Sequence, residues 1–127
     1  MEYRKIGKTG IAASVIGLGC EGLARGGPEE VERIIAAAMD AGVNILDCFL
    51  PGKEARGNIG RALRGRRKDM LIQGHIGSTD IHEQNDVSRD LKTCKKYFES
   101  YLADMDTDYI DFGMFFFVDT PADFSQV

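Results

Sequence analysis

Short apolar runs alternate with longer amphipathic segments along the chain, and this alternation predicts strands separated by helices. Repeated strand and helix units of this kind favour right-handed crossovers, which give a parallel sheet with helices outside it. The apolar runs of strand length begin near Val15, Val43, Met70 and Tyr109, and helical periodicity covers residues 28–41, 55–64 and 88–105.

An α/β fold with a parallel sheet can be an open doubly wound sheet or the first half of a (β/α)8 barrel. The sequence gives only weak evidence for the phosphate-binding glycine motif of a doubly wound sheet. Residues 17–22 match the Gly-x-Gly-x-x-Gly spacing, but acidic Glu21 lies inside the match. No helix is predicted before Pro28, so no helix N-terminus is presented to a phosphate.

Several predictions concern the helices and loops. Pro28 suits a first helical position, and Gly42 suits the C-terminal cap of the same helix. The long helix at 88–105 is expected to bury Leu91, Cys94, Phe98, Tyr101, Leu102 and Met105. Residues 77–86 are polar and read as a surface loop, in which His82 is expected to be solvated.

Composition indicates one ordinary globular domain over residues 1–127. The chain is 43% hydrophobic and 28% charged, and it has neither a 20-residue apolar run nor a signal peptide, which predicts a cytoplasmic protein without membrane contact. A net charge of −4 argues against nucleic-acid binding. One basic cluster comprises Arg61, Arg64, Arg66, Arg67 and Lys68. It could hold phosphate, but the favoured interpretation is the solvated end of a helix.

The three cysteines have no close Cys-x-x-Cys spacing, so neither disulfides nor a zinc ribbon are predicted. Cys20, Cys48 and His75 fall at the predicted ends of three strands, with Asp47 beside them. Such a set could bind zinc, and the two cysteines could be redox partners. Because nothing in the spacing is diagnostic and small buried cysteines often serve as packing, no metal site is predicted.

Asp47 ends the apolar run 43–46, where a buried strand meets a loop. A carboxylate at this place is costly to bury, so it is either solvated by the loop or kept for chemistry. Asp47 is therefore the first candidate for a catalytic residue.

Five motifs in order along the chain resemble the aldo-keto reductase family, whose members are (β/α)8 barrels. The resemblance covers nearly the whole chain and implies the first half of such a barrel, preceded by a short N-terminal β-hairpin. The motifs are the segments 3–10 (YRKIGKTG), 14–19 (SVIGLG), 41–47 (AGVNILD), 59–63 (IGRAL) and 106–111 (DTDYID).

This resemblance implies reduction of a small carbonyl compound with a nicotinamide cofactor, usually NADPH. The family uses an aspartate, a tyrosine, a lysine and a histidine at the mouth of the barrel. Asp47 matches the aspartate, but Gly52 stands at the tyrosine position, His75 at the lysine position and Phe116 at the histidine position. The catalytic set is therefore expected to be degraded and the isolated chain to be inactive.

His75 has two interpretations. It could replace the missing proton donor beside Asp47, since imidazole titrates near neutral pH. The favoured alternative is a strand-end histidine bonded to backbone or water. The resemblance also implies that Gly19, Cys20 and Asp47 contact NADP(H), with most of the cofactor site beyond residue 127. Some relatives carry iron–sulfur cysteines in an extension, so the electron source of a longer parent stays open.

A complete barrel needs about 250 residues, so this chain is expected to be a truncated half-barrel. Its outer strands would leave open edges, and Phe112, Phe115, Phe116 and Phe117 would face solvent. Self-association or pairing with a second half-barrel is therefore expected. The alternative function is a non-catalytic half-barrel that acts through binding or assembly.

Overall fold

The computed structural model describes residues 1–49, 52–79 and 86–127, and its centre is a four-stranded parallel sheet in the order β3-β4-β5-β8. Two small antiparallel pairs, β1 with β2 and β6 with β7, accompany it. The strands are β1 (Tyr3–Lys5), β2 (Ala12–Ser14), β3 (Leu18–Gly19), β4 (Ile45–Cys48), β5 (Leu71–Ile76), β6 (Ser78–Thr79), β7 (Asp86–Val87) and β8 (Phe112–Phe115). The helices are α1 (Pro28–Asp40), α2 (Lys53–Ala62), α3 (Leu91–Asp104) and α4 (Pro121–Phe124), with 3₁₀ turns at Glu21–Arg25 and Arg67–Asp69.

The three predicted helices are present, with ends that shift by up to three residues. Helix α1 begins at Pro28, and Gly42 follows it at φ +87°, a conformation that favours glycine. The prediction for Leu91 is wrong: it is 82% exposed, because α3 starts there and its buried stripe lies further along, at Tyr101 and Met105. His82 lies outside the described residues.

The first predicted strand is much shorter than expected. Only Leu18–Gly19 pairs in the parallel sheet, while Val15 and Ile16 are 46% and 61% exposed. The hydroxyl of Ser14 donates to the Ile16 carbonyl at 2.7 Å, which bends the chain before it reaches the sheet. The strand predicted to begin near Val15 therefore begins only at Leu18.

Asn44 fastens the N-terminal hairpin to the start of β4. Its side-chain carbonyl accepts from Ser14 N at 2.7 Å, and its amide nitrogen donates to the Ala12 carbonyl at 3.0 Å. In return the Asn44 backbone N–H donates to Ser14 Oγ at 3.1 Å. Three hydrogen bonds thus join two segments that are about 30 residues apart in the sequence.

The two faces of the parallel sheet differ. Leu46 and Cys48 on β4 and Ile72 on β5 point toward the helices and are fully buried. The alternate residues of β4, Ile45 and Asp47, are on the opposite face and only partly buried. The core therefore lies between sheet and helices; it consists of Cys20, Leu23, Val31, Ile35, Leu46, Cys48, Ile59, Leu63, Met70, Ile72, Tyr101 and Met105.

β3 and β8 are the edge strands of this sheet. At the β8 edge, Met114, Phe115 and Phe117 are 42%, 49% and 51% exposed, in line with the liability predicted for an open half-barrel. Phe116 differs from the prediction because it is 8% exposed and packs against other aromatic rings. No helix in the described ranges is long and apolar enough to cross a membrane.

Candidate functional site

Three of the predicted site residues meet at the carboxyl ends of neighbouring strands. Gly19 on β3 is in register with Asp47 on β4, and Asp47 is in register with Gln73 on β5. His75 lies two residues after Gln73, so its side chain leaves the sheet on the same face. In a parallel barrel this end of the sheet is the mouth where catalytic residues collect.

Asp47 receives two hydrogen bonds on one oxygen. His75 Nε2 lies 2.8 Å from Asp47 Oδ1, and Gln73 Nε2 donates to the same oxygen at 3.0 Å. Because a carboxylate only accepts, the short contact places the histidine N–H on Nε2. Asp47 Oδ2 has no hydrogen bond to any described residue, and the side chain is 49% exposed. The arrangement leaves one carboxylate oxygen open to the mouth.

The His75 ring is held by aromatic neighbours. Its side chain is 10% exposed, with Phe49 edge-on at a centroid distance of 5.4 Å and Phe116 at 5.7 Å. The second ring nitrogen, Nδ1, is buried and has no hydrogen-bond partner in the described part of the chain. With the proton on Nε2, Nδ1 is an acceptor without a donor, which makes this histidine costly to keep as a purely structural residue.

Gly52 and Phe116 occupy the places where the resemblance implies a tyrosine and a histidine. Gly52 is the N-cap of α2 at φ +97° and ψ 162°, and it offers no side chain to the site. Phe116 packs on Phe49 at a centroid distance of 5.0 Å and covers His75. The aromatic ring at the histidine position thus shields the Asp47–His75 pair and cannot donate a proton.

Cys20 and Cys48 both belong to the hydrophobic core. Both are fully buried, with 1% and 0% exposure. The neighbouring Cys48 thiol, together with burial, raises the pKa of the Cys20 thiol above its ordinary value. A thiol held neutral in this way is a poor nucleophile and a poor metal ligand. Cys20 lines the mouth pocket but is only 1% exposed, so it offers little surface for the predicted cofactor contact.

No group of three or more His, Cys, Asp and Glu side chains suited to a metal ion occurs among residues 1–49, 52–79 and 86–127. The basic cluster is largely paired with carboxylates. Arg67 contacts Asp111 at 3.0 Å, and Arg64 lies 3.5 Å from Asp106. Arg67 also stacks over Tyr109, with 4.0 Å from its guanidinium carbon to the ring centroid. These contacts fit the helix-end interpretation better than a phosphate site.

A pocket of about 340 Å³ lies at the mouth, above the Asp47–His75 pair. Sequence reasoning missed several of the residues that shape it. Gln73 could have been found from the two-residue alternation with His75 along β5. Phe49 and Phe117 gave no comparable signal, since aromatic residues next to strands usually serve as core. The pocket is lined by Gly19, Cys20, Glu21, Asp47, Phe49, His75, Phe116 and Phe117.

No protein-family model matches this sequence, and no curated protein matches it. Solved structures do match. A Pseudomonas aeruginosa protein assigned to the aldo-keto reductases is 27% identical, with a TM-score of 0.79 over 89% of this chain and 46% of its own. The holo form of an aldo-keto reductase from Bacillus halodurans is 26% identical, with a TM-score of 0.81 over 97% of this chain and 43% of its own.

A third match, an aldo-keto reductase from Klebsiella pneumoniae in complex with NADPH, is 19% identical and has a TM-score of 0.64. It covers 82% of this chain and 35% of its own, and at this identity the likeness is one of fold alone. The chain thus spans less than half the length of each of these structures. The predicted α/β fold, the first half of a (β/α)8 barrel with an N-terminal hairpin, is confirmed.

Proposed function

We propose that this chain, which resembles the N-terminal half of aldo-keto reductases in sequence and fold, supplies half of an oxidoreductase site for carbonyl reduction. The observation that carries the proposal is the 2.8 Å contact between His75 Nε2 and Asp47 Oδ1 at the mouth of the sheet. It pairs the one matching family residue, Asp47, with an imidazole that can take part in proton transfer.

In this proposal His75 takes over the role of the missing tyrosine. The proton donor is the doubly protonated imidazole: a carbonyl oxygen bound beside Asp47 would draw the Nε2–H away from Asp47 Oδ1 and accept that proton as negative charge develops on the oxygen, leaving neutral imidazole with its remaining proton on Nδ1. Before that transfer Asp47 orients the imidazole through the Nε2 hydrogen bond, and Gln73 holds the carboxylate from the side. Phe116 and Phe49 exclude water from the ring, which strengthens these interactions.

The proposed cofactor is NADP(H), which supplies the hydride when bound. Gly19 leaves room for the nicotinamide ring of the cofactor, because it has no side chain and a Cβ atom there would meet nothing within 4 Å. Asp47 and Cys20 border the same space. The phosphates and adenine of the cofactor would be held by the second half of a complete barrel, as the family resemblance implies.

The second candidate function is a non-catalytic half-barrel that acts by assembly, as a self-associating module or bound to a second half. Two observations favour it: Gly52 replaces the tyrosine, and exposed Met114, Phe115 and Phe117 line the open edge. In this case Asp47 and His75 would be a remnant of the site. Both candidates share the expectation that the chain alone is inactive.

One experiment separates the two candidates. The chain is mixed with the C-terminal half of the Bacillus halodurans reductase, and assembly is checked by size-exclusion chromatography with light scattering. NADPH oxidation by the assembled barrel is then measured with a panel of aldehydes. We expect turnover that falls at least about 100-fold in His75→Gln, the range of general acid catalysis, and is unchanged in Asp108→Asn at an exposed site. An assembled barrel whose activity does not depend on His75 would leave only the assembly function.

A further inference from the structure

Among the described residues that line the pocket at the mouth, those of fixed charge are both acidic. They are Asp47 and Glu21, and none of the described lining residues is a lysine or an arginine. Glu21 is exposed at the rim, and Asp47 is half-exposed at the floor. Two carboxylates around one opening with no fixed cation between them attract a positively charged ligand and repel an anionic one.

Aromatic rings form the other wall of this pocket. Phe116 lies between Phe49, at a centroid distance of 5.0 Å, and Phe117, at 4.0 Å. The three rings therefore make one continuous aromatic surface beside the two carboxylates. The faces of aromatic rings carry partial negative charge, so a cation near such a wall is stabilised further.

Phe117 has a strained backbone conformation in this aromatic surface. Its φ of +49° lies in the left-handed region, which a bulky residue rarely adopts. Its side chain is nevertheless 51% exposed, so burial does not repay the strain. Arg89 fixes the backbone by donating from Nη2 to the Phe116 and Phe117 carbonyls at 2.6 and 2.9 Å. Strain without burial is typical of residues positioned for a ligand.

The hydrogen bonding at the floor of the pocket also favours a ligand that donates an N–H. Gln73 and His75 both use Asp47 Oδ1, and Oδ2 has no partner among the described residues. His75 is nine-tenths buried beneath the pocket, and its Nδ1 also lacks a partner there. An N–H group on a ligand would complete the hydrogen bonding of Asp47 Oδ2.

We propose that this pocket binds an organic ammonium ion, with its N–H donating to Asp47 Oδ2 and its carbon skeleton against Phe116 and Phe117. Glu21 at the rim attracts the same charge. Together with the proposed function, the ammonium site makes amino-substituted carbonyl compounds the substrate class. This assignment of the substrate rests on the proposed function. The binding itself requires neither the cofactor nor the second half of the barrel.

The test uses the full chain and two probes of the same shape, n-butylammonium and butan-1-ol, followed by the amide signals of Gly19 and Phe117 in NMR titrations. We expect the ammonium ion to bind at least about tenfold more tightly than the alcohol. Glu21→Gln should reduce this preference, whereas Glu29→Gln, the same charge change on helix α1, should not. Phe117→Leu should weaken the ammonium ion more than the alcohol.

Equal affinity for the two probes, or an equal effect of Glu21→Gln and Glu29→Gln, would overturn the inference. If the chain prefers the ammonium ion but turnover by the assembled barrel does not depend on His75, only the proposed function is refuted. Turnover that depends on His75, in a pocket without charge selectivity, would refute only the ammonium site. Each result thus decides one of the two proposals separately.

Discussion

Gly60 of helix α2 lies directly against the backbone of Met105 at the end of helix α3. A Cβ atom on Gly60 would overlap the Met105 carbonyl oxygen and lie 2.6 Å from its carbonyl carbon. Gly57, one turn earlier on the same helix, is different, because its Cβ would meet only the Asp104 carbonyl oxygen at 3.9 Å. Only one of these two glycines is required by packing.

We therefore expect opposite effects from the same substitution at the two positions. Gly60→Ala should lower the free energy of unfolding by about 1–3 kcal/mol or more, because the backbone of α3 has to move. Gly57→Ala should raise it by about 0.5–1 kcal/mol, since alanine is the better helix former. Urea denaturation followed by circular dichroism measures both. A Gly60→Ala variant as stable as the original chain would show that the close approach of α2 and α3 is wrong.

A buried ion pair links the same two helices. Arg56 Nη2 lies 2.7 Å from Asp104 Oδ2, with side chains 5% and 10% exposed, and Nε and Nη1 of Arg56 are buried without partners in the described ranges. Removing one partner leaves the other charge buried and uncompensated. Arg56→Met should therefore cost about 3–5 kcal/mol of stability.

The double variant Arg56→Met with Asp104→Leu should recover part of that loss, because an apolar pair of similar volume needs no desolvation of charge. Arg64→Met is the matched control. Arg64 lies 3.5 Å from Asp106, but both side chains are more than two-thirds exposed, so its loss should change stability by less than about 1 kcal/mol. Chemical denaturation of the original chain, Arg56→Met, Asp104→Leu and the double variant measures the coupling, and Arg64→Met is measured beside them. A double variant less stable than Arg56→Met would contradict this account.

The order of elements could be predicted from the sequence because hydrophobic periodicity is a local property. Apolar runs near Val43 and Met70 and the caps around α1 determine those elements without knowledge of the fold. The extent of β3 could not be predicted, since it depends on Asn44, 30 residues away, which binds Ser14 and directs the chain away from the sheet. The exposure of Leu91 depends likewise on tertiary structure, because α3 begins at this residue and its buried residues lie further along the helix.

The candidate site was only partly predictable for the same reason. Asp47 and His75 follow from strand ends and from the family resemblance, and parallel pairing brings them together. The sequence shows only that Phe116 replaces the family's histidine. It does not show that the Phe116 ring covers His75. The aromatic wall depends on the conformation of Phe117 and on the hydrogen bonds from Arg89, which no local pattern signals.

Helix α3 provides a prediction about pH. Asp90 is its N-cap and accepts from the Thr93 hydroxyl at 2.7 Å and from the Thr93 backbone N–H at 2.8 Å. These hydrogen bonds lower the pKa of Asp90. Because the pKa is lower in the folded chain, the stabilisation is present above the ordinary aspartate pKa of about 3.9 and is lost as pH falls through the folded value.

Asp90→Ala should accordingly lower the melting temperature at pH 7, and the difference from the original chain should shrink as the pH is brought below about 3. Thermal unfolding followed by circular dichroism across this pH range is the measurement. Asp108→Ala removes an exposed carboxylate that caps no helix, so its effect on the melting temperature should be small at both ends of the range. A difference for Asp90→Ala that stays constant with pH would show that the cap contributes no carboxylate hydrogen bonds.

The last prediction concerns the position that the family resemblance assigns to the catalytic tyrosine. Gly52 has φ +97° and ψ 162°, a backbone conformation that is almost confined to glycine. A Cβ atom there would meet nothing within 4 Å, so strain and not collision opposes a side chain. Gly52→Tyr and Gly52→Ala should both lower the free energy of unfolding by about 1–3 kcal/mol.

Gly22 serves as the control, because it also has open space for a Cβ atom but no positive φ. Gly22→Ala should change stability by less than about 0.5 kcal/mol. In the assembled barrel, Gly52→Tyr should not raise the rate of NADPH oxidation, since the strained backbone has to rearrange before the new hydroxyl can approach Asp47. A Gly52→Tyr variant that is both stable and more active would show instead that the tyrosine position was lost by a single reversible substitution, and that His75 is not its replacement.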